Sequence, residues 1–195
     1  MVIYIIEDYK EKAKSTKELS CLAVYDFLNK ASKNLNNKIK LKDIIIEKTE
    51  LGKPFVKKFP IFLSISHSDN ICAIAVSFQQ VGIDIEKKKN VKWQKIMERF
   101  FTEREKNILE KNPDIDVFFD IWTRKEAYAK YLGIPVLRII KTENVVEVDT
   151  VENDGESEKS MVSFKKFYVN NNFVGNVCCR NEEKDVNYER RDLFR

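Results

Sequence analysis

Histidine is nearly absent from the chain: His67 is the only one in 195 residues. With a single imidazole and no C-x-x-C spacing, the usual zinc patterns are excluded. The four cysteines are Cys21 and Cys72, each alone, and the adjacent Cys178 and Cys179. The last two fall in a strand-like run, where neighbours point to opposite faces, so reduced, buried structural thiols are expected. Five glycines and four prolines leave loops that are short or built from Asn and Lys. No apolar run approaches the length that spans a bilayer. The opening MVIYIIEDYK turns acidic too soon for a signal peptide. These absences point to a cytoplasmic protein with no membrane partner.

Hydrophobic residues make up 43% of the chain, with thirteen Phe and seven Tyr, enough for a buried core. The length fits one large domain or two small halves sharing a core. A net charge of +4, from 35 basic and 31 acidic residues, falls short of a nucleic-acid binder. Lys87, Lys88, Lys89, Lys92, Lys95, Arg99, Arg104 and Lys106 make a basic middle. Glu147, Asp149, Glu152, Asp154, Glu156 and Glu158 make an acidic stretch nearer the end. A basic middle suits phosphates or an acidic protein partner, and a solvated helix face would look the same.

Periodicity supplies the elements. Val2 to Ile6 reads as a strand. Ser15-x-x-Glu18 is a capping-box pattern before a helix carrying Leu19, Leu22, Ala23, Phe27 and Ala31, which Asn34 to Asn37 end. Ile44 to Ile46 is a short strand, followed by a turn at TELGKP. Alternation at Ile61, Leu63 and Ile65, the run ICAIAVSF and then VGIDIE predict an antiparallel meander with one face buried, turning at Asp69-Asn70. Trp93, Ile96, Met97 and Phe100 lie at helical spacing. Thr102-x-x-Glu105 is a second capping box, and Asn112-Pro113 closes its helix. Asp114 caps the longest helix, with a stripe of Phe118, Ile121, Trp122, Ala129 and Leu132 and a stop at Gly133. Strands are expected from Val136 onward, in NVVEVDT, MVSFKKFYV and NFVGNVCC, with ENDGESEKS a loop and a frayed tail after Asn181. The fold class is α+β. Each half is helix-rich first and strand-rich afterwards, which suggests two similar α+β halves, residues 1–80 and 81–195.

Several short stretches could carry chemistry. In GIDIE, strand alternation sends Val81, Ile83 and Ile85 to the core and Asp84 and Glu86 together to the other, solvent-facing side. Two like charges about 4 Å apart cost roughly 4 kcal/mol at an effective dielectric near 20, so a cation should compensate. Nearby lysines or a hard divalent metal would serve, as would solvent. Gly82 leaves room beside the carboxylates for a ligand. In WTRKEAYAKYLG, Glu126 and Lys130 are four apart, which fits a surface ion pair or a metal carboxylate with a phosphate-binding lysine. Lys125 adds a basic donor. His67 sits between two serines at a strand end, as a turn residue or as a donor to an anion. A Ser/His/Asp hydrolase is disfavoured because no G-x-S-x-G exists. Gly52-Lys53-Pro54 is a rigid turn projecting a lysine and is not a phosphate-binding P-loop.

In order, Gly52-Lys53-Pro54, SISHS, GIDIE, FF with TEREK, and WTRKEAYAKYLG resemble the 4′-phosphopantetheinyl transferases, specifically the longer, pseudo-dimeric Sfp-like class with the W-x-x-K-E-A signature. The resemblance covers roughly Lys48 to Gly133. It implies two α+β halves related by a pseudo-two-fold axis, with the active site at their interface, in a monomer. The implied enzyme is of the holo-[acyl-carrier-protein] synthase type, moving the phosphopantetheine arm of coenzyme A to a serine of an acidic apo carrier protein and releasing 3′,5′-ADP. Mg²⁺ is the implied cofactor, held by Asp84, Glu86 and Glu126. Glu126 is also implied to activate the serine, and Lys130 and Lys125 to neutralise phosphate. Ser66 and His67 would contact coenzyme A phosphates, with Lys53 and Pro54 at the adenine end. Lys10, Lys12, Lys14 and Lys17 are candidates for the 3′-phosphate. GIPVL after Leu132 departs from the family pattern. Another Mg²⁺-dependent phosphoryl-transfer enzyme and a non-catalytic carrier-binding module are the competing readings.

Overall fold

The computed structural model describes residues 1–13, 15–31, 39–146, 162–180 and 186–190. Lys14, Asn34 to Asn37, the acidic stretch from Glu147, the ENDGESEKS segment and the last five residues lie outside them.

The described chain runs β1 (Val2–Glu7), α1 (Tyr9–Lys12), α2 (Thr16–Ala31), β2 (Ile45–Lys48), β3 (Pro54–Lys57), β4 (Phe62–Ser68), β5 (Ile71–Ser77) and β6 (Val81–Lys87). It continues with α3 (Trp93–Phe100), α4 (Glu103–Lys111), α5 (Ile115–Leu132), β7 (Val162–Val169), β8 (Phe173–Arg180) and β9 (Asn187–Arg190). One sheet has the order β2-β3-β4-β5-β1-β9 and the other β6-β8-β7. The two face one another, with α2 outside the first and α3 to α5 outside the second.

Strand alternation builds these layers. On β1, Tyr4 and Ile6 pack with Leu19, Val24 and Phe27 of α2, while Ile3 and Ile5 turn to the other face. There they meet Ala73 and Ala75 of β5 and Val81, Ile83, Ile85 and Val177 of the second sheet. The outer face of that sheet offers Phe164, Val174 and Cys178 to Met97, Leu109, Phe118 and Ile121. β5 is buried along its whole length, as its unbroken apolar run requires. Cys178 and Cys179 are both buried and unbridged.

The meander stops one strand early. β5 bonds antiparallel to β4 on one edge and to β1 on the other, so no edge remains for β6. β6 joins β8 instead, and the chain changes sheet at Val81. Strands do not resume at Val136: Val136–Arg138 is a 3₁₀ turn, and the next described strand is β7. The tail is not frayed throughout. β9 adds parallel to the open edge of β1, and Lys30 of α2 pairs with Glu189 at 2.5 Å. The second half thus returns a strand to the first sheet. Leu132 departs from the α5 stripe and is 39% exposed.

Both predicted capping boxes are present in part or whole. The Glu18 amide reaches Ser15 Oγ at 3.2 Å. Thr102 and Glu105 exchange side-chain bonds with each other's amides. Asp114 caps α5, and Gly133 ends it at φ 75°.

Candidate active site

The seam between the sheets is stitched by β4. Its serines 64, 66 and 68 share one face, and all three reach β6. Ser64 Oγ accepts the Ile83 amide at 3.0 Å. Ser66 Oγ donates to Asp84 Oδ1 at 2.7 Å. Ser68 Oγ accepts the Lys87 amide at 3.0 Å and donates to Glu86 Oε2 at 3.0 Å. The period of two thus aligns three hydroxyls with a strand of the other sheet.

α5 closes the site from above. Gly82 admits it: a Cβ there would lie 2.0 Å from the Ala127 carbonyl oxygen. Gly82 therefore makes room for a helix, not for a ligand. This contact carries α5 across the carboxylate-bearing face of β6. Lys130 Nζ pairs with Asp84 Oδ1 at 2.7 Å rather than with its helical neighbour as a surface pair. Asp84 is 3% exposed, not solvent-facing as strand alternation suggested, because α5 covers that face. Its other oxygen, Oδ2, is buried without a hydrogen-bond partner among the described residues.

The three carboxylates act on one another. Burial, then the Asp84 and Glu86 charges, push Glu126 up to about 7, against the opposing pull of Lys130. Burial and the Asp84 charge also raise Glu86, while the Ser68 hydrogen bond offsets part of the shift. Among the described residues, no three His, Cys, Asp or Glu side chains are gathered as a closed metal-ligand group. The donor set nonetheless fits a hard divalent cation: neighbouring carboxylates that raise one another's proton affinity and, among the described residues, one buried oxygen without a hydrogen-bond partner.

A cleft of about 200 Å³ opens beside this cluster, lined in part by Lys53, Pro54, Ser64, Ile65 and Lys130. Lys53 Nζ donates to the Tyr131 carbonyl at 2.6 Å, so this lysine caps the C-terminal end of α5 from the opposite sheet. Burial lowers its ammonium to about 8. A second opening of about 490 Å³ is lined by Lys88, Lys89, Asn90, Trp93, Pro113 and Ile115, within the basic middle.

Two expected site residues lie elsewhere. Lys125 is fully buried and does not meet the cleft. Its ammonium pairs with Glu105 at 2.8 Å and donates to the carbonyls of Ile140 and Glu143. The turn of about 100° between successive residues of α5 explains this: Lys125 points inward while Glu126 is at the boundary. His67 is exposed on the opposite face of β4 from Ser66 and stacks on Tyr9, with ring centroids 5.7 Å apart. Lys10 lies over the same Tyr9 ring. Ser66 spends its hydroxyl proton on Asp84.

Sequence reasoning missed Asn176. It stands opposite Asp84 in the β6–β8 register and is fully buried. Its Nδ2 donates to Asp120 Oδ1 at 2.8 Å and Thr123 Oγ1 at 2.9 Å, tying β8 to α5. An asparagine inside an apolar strand pattern was the available signal. The roles of Ser64 and Ser68 could have been found from the serine period in SISHS.

The carboxylates, the capping lysine and the cleft lie within or beside a stretch that other proteins share. The family model for the 4′-phosphopantetheinyl transferase superfamily matches residues 80–189. The 4′-phosphopantetheinyl transferase gsp of Aneurinibacillus migulanus is 44% identical over 94 residues, 47% of this chain and 39% of that protein. The 4′-phosphopantetheinyl transferase Sfp of Bacillus subtilis strain 168 is 36% identical over 95 residues, 47% of this chain and 42% of its own length. HetI of Nostoc sp. PCC 7120, also named a 4′-phosphopantetheinyl transferase, is 35% identical over 98 residues, covering 48% of this chain and 41% of the relative. The chain therefore spans about two-fifths of the length of these curated relatives. With GIDIE on β6 and the lysine–glutamate pair on α5 both inside the matched residues, the chain belongs to the 4′-phosphopantetheinyl transferase superfamily.

Proposed function

We propose that this protein transfers the 4′-phosphopantetheine arm of coenzyme A to a serine of an acidic apo carrier protein. The observation that carries this reading is the enclosure of Asp84 by Ser66 and Lys130, with Glu126 raised to about 7 beside it. In the reaction, the carrier serine Oγ bonds to the phosphorus bearing the pantetheine arm. The bond from that phosphorus to the bridging oxygen breaks, and 3′,5′-ADP leaves with the electron pair. The serine proton passes to Glu126, directly or through water.

Phosphoryl transfer asks little covalent chemistry of a protein, so positioning and charge do most of the work. Asp84, Glu86 and Glu126 would hold Mg²⁺, which when bound neutralises charge on the diphosphate. Lys130 lines the cleft and pairs with Asp84 of that cluster. Lys53 and Pro54 line the same cleft and suit the adenine end, and His67 with Lys10 suits an outlying phosphate. Lys125 is given no part in phosphate binding. The basic opening around Lys88, Lys89 and Trp93 suits an acidic carrier surface.

The test is to incubate the protein with coenzyme A, Mg²⁺ and a panel of apo carriers drawn from fatty-acid, polyketide and peptide synthesis. A mass gain on the carrier serine is expected. No gain on any carrier would count against the transferase and favour another phosphoryl-transfer reaction. Asp84→Asn is expected to remove nearly all turnover. His67→Ala is expected to raise the coenzyme A requirement and leave residual chemistry; complete loss with unchanged coenzyme A binding would instead assign it a proton-transfer role.

A further inference from the structure

Lys130 holds a position that a phosphate-binding lysine does not need. Its ammonium is 2.7 Å from Asp84 Oδ1, an oxygen that also receives the Ser66 hydroxyl at 2.7 Å. Asp84 is buried, and its Oδ2 has no hydrogen-bond partner among the described residues. Glu86 and Glu126 both feel the Asp84 charge. A buried carboxylate among two others needs a counter-charge close by, and Lys130 supplies one. The Lys130 side chain is still 31% exposed and borders the cleft that holds Lys53 and Ser64. It therefore has somewhere to go.

We infer that Lys130 is the resident counter-cation of the carboxylate cluster, and that an incoming divalent cation must displace it from Asp84. This rests on the metal-binding reading of Asp84, Glu86 and Glu126 given above. An ammonium and a metal ion compete for the same carboxylate, because a cation at either oxygen of Asp84 would lie against the Lys130 charge at a separation where repulsion is strong. The ion pair therefore lowers metal affinity in the free protein. Once displaced, the ammonium is released toward the cleft, where a diphosphate would receive it. The lysine thus acts as a placeholder: it stabilises the empty cluster and discourages a metal from settling there until phosphate offers the ammonium a second partner. By linkage, phosphate and metal binding then favour one another.

The experiment titrates Mn²⁺ alone, without coenzyme A or carrier, into the wild-type protein, Lys130→Met and Lys130→Arg. Isothermal calorimetry or the Mn²⁺ electron-spin signal reads binding directly. Lys130→Met is expected to bind Mn²⁺ roughly tenfold more tightly or better, since a neighbouring positive charge has been removed. Lys130→Arg, which keeps that charge, is expected to remain near wild type, and Asp84→Asn to lose the site. Should Lys130→Met not fold, amine labelling of the wild type gives the same answer: Lys130 is expected to become more reactive when Mn²⁺ is added. Metal binding with an affinity that Lys130→Met leaves unchanged or weakens overturns the inference alone, as does Lys130 labelling indifferent to Mn²⁺. Absence of Mn²⁺ binding in both wild type and Lys130→Met, or its survival in Asp84→Asn, overturns the inference together with the metal reading. The carrier-labelling assay judges the transferase reading separately.

Discussion

Gly82 of β6 lies directly beneath Ala127 of α5, so close that a Cβ on the glycine would come within 2.0 Å of the alanine carbonyl oxygen. The Tyr131 amide nitrogen would be 2.3 Å from the same atom. Both obstacles are helix backbone and cannot rotate away. Gly82→Ala must therefore lift α5 from β6, at an overpacking cost of about 1–3 kcal/mol or more. In a chain of this size each kcal/mol lowers Tm by about 2–4 °C. Lifting α5 also draws Glu126 and Lys130 away from Asp84, so activity is expected to fall even where the protein remains folded. A thermal melt and the carrier-labelling rate together check this; a variant that melts like wild type would disprove the tight apposition.

Ser64 offers a cleaner test of the seam. Its hydroxyl oxygen is the acceptor for the buried Ile83 amide, at 3.0 Å. Ser64→Ala leaves that N–H without its partner between the sheets. The expected loss is about 1–3 kcal/mol, the cost of stranding a buried donor. Urea unfolding should show it as a lower midpoint with an unchanged slope, and the Ile83 amide should exchange with solvent faster. Unchanged stability would mean that the amide finds another acceptor.

Much of this arrangement was legible in the sequence, and the reasons for the misses are physical. Local signals held: Thr102 with Glu105 and Asp114 cap the helices they were expected to cap, and Gly133 ends α5. These depend on bonds within a few residues. Strand existence was legible for β1, β4, β5 and β6, and so was the β4–β5 pairing, but the partner of β6 was not, because nothing local in VGIDIE says that both edges of β5 are taken. The same limit hid β9, whose partners, β1 and Lys30, lie more than 150 residues earlier. At the site, alternation put Asp84 and Glu86 on one face, but which element covers that face is a tertiary fact. The solvent-facing expectation for Asp84 and the ligand-space expectation for Gly82 failed together, since α5 occupies that space.

Lys53 gives the protein a pH signature. Burial lowers its ammonium to about 8 from an ordinary value of 10.5. Between those values the unfolded chain binds the proton and the folded one releases it. Stability attributable to this residue therefore rises as pH increases from about 8 to 10.5, and below 8 the buried charge is a standing cost. Lys53→Met removes the charge and leaves the Tyr131 carbonyl with its second donor, Gln80 Nε2, at 2.6 Å. The variant is expected to gain stability relative to wild type at pH 7 and to lose that advantage by pH 10.5. Melts of the two proteins at half-unit steps would show the gap close; a gap independent of pH would contradict the shifted ammonium.

Lys125 separates two accounts of the same signature residue. If it met phosphate, Lys125→Met would raise the coenzyme A requirement and leave stability alone. Its burial predicts the reverse. The ammonium is 2.8 Å from Glu105 Oε2 and holds the carbonyls of Ile140 and Glu143. Removing it strands a buried carboxylate, a change that costs roughly 3–5 kcal/mol. Replacing both partners with apolar residues is often harmless for a buried ion pair. Here it should not be, because Glu105 also accepts the amides of Thr102 and Val145. The double variant Glu105→Leu, Lys125→Met would thus leave two N–H and two carbonyl groups without those partners, each buried one costing about 1–3 kcal/mol. It is expected to be no more stable than Lys125→Met. In both variants the surviving folded protein should show an unchanged KM for coenzyme A, since Lys125 does not line the cleft. A raised KM at wild-type Tm would return Lys125 to the phosphates.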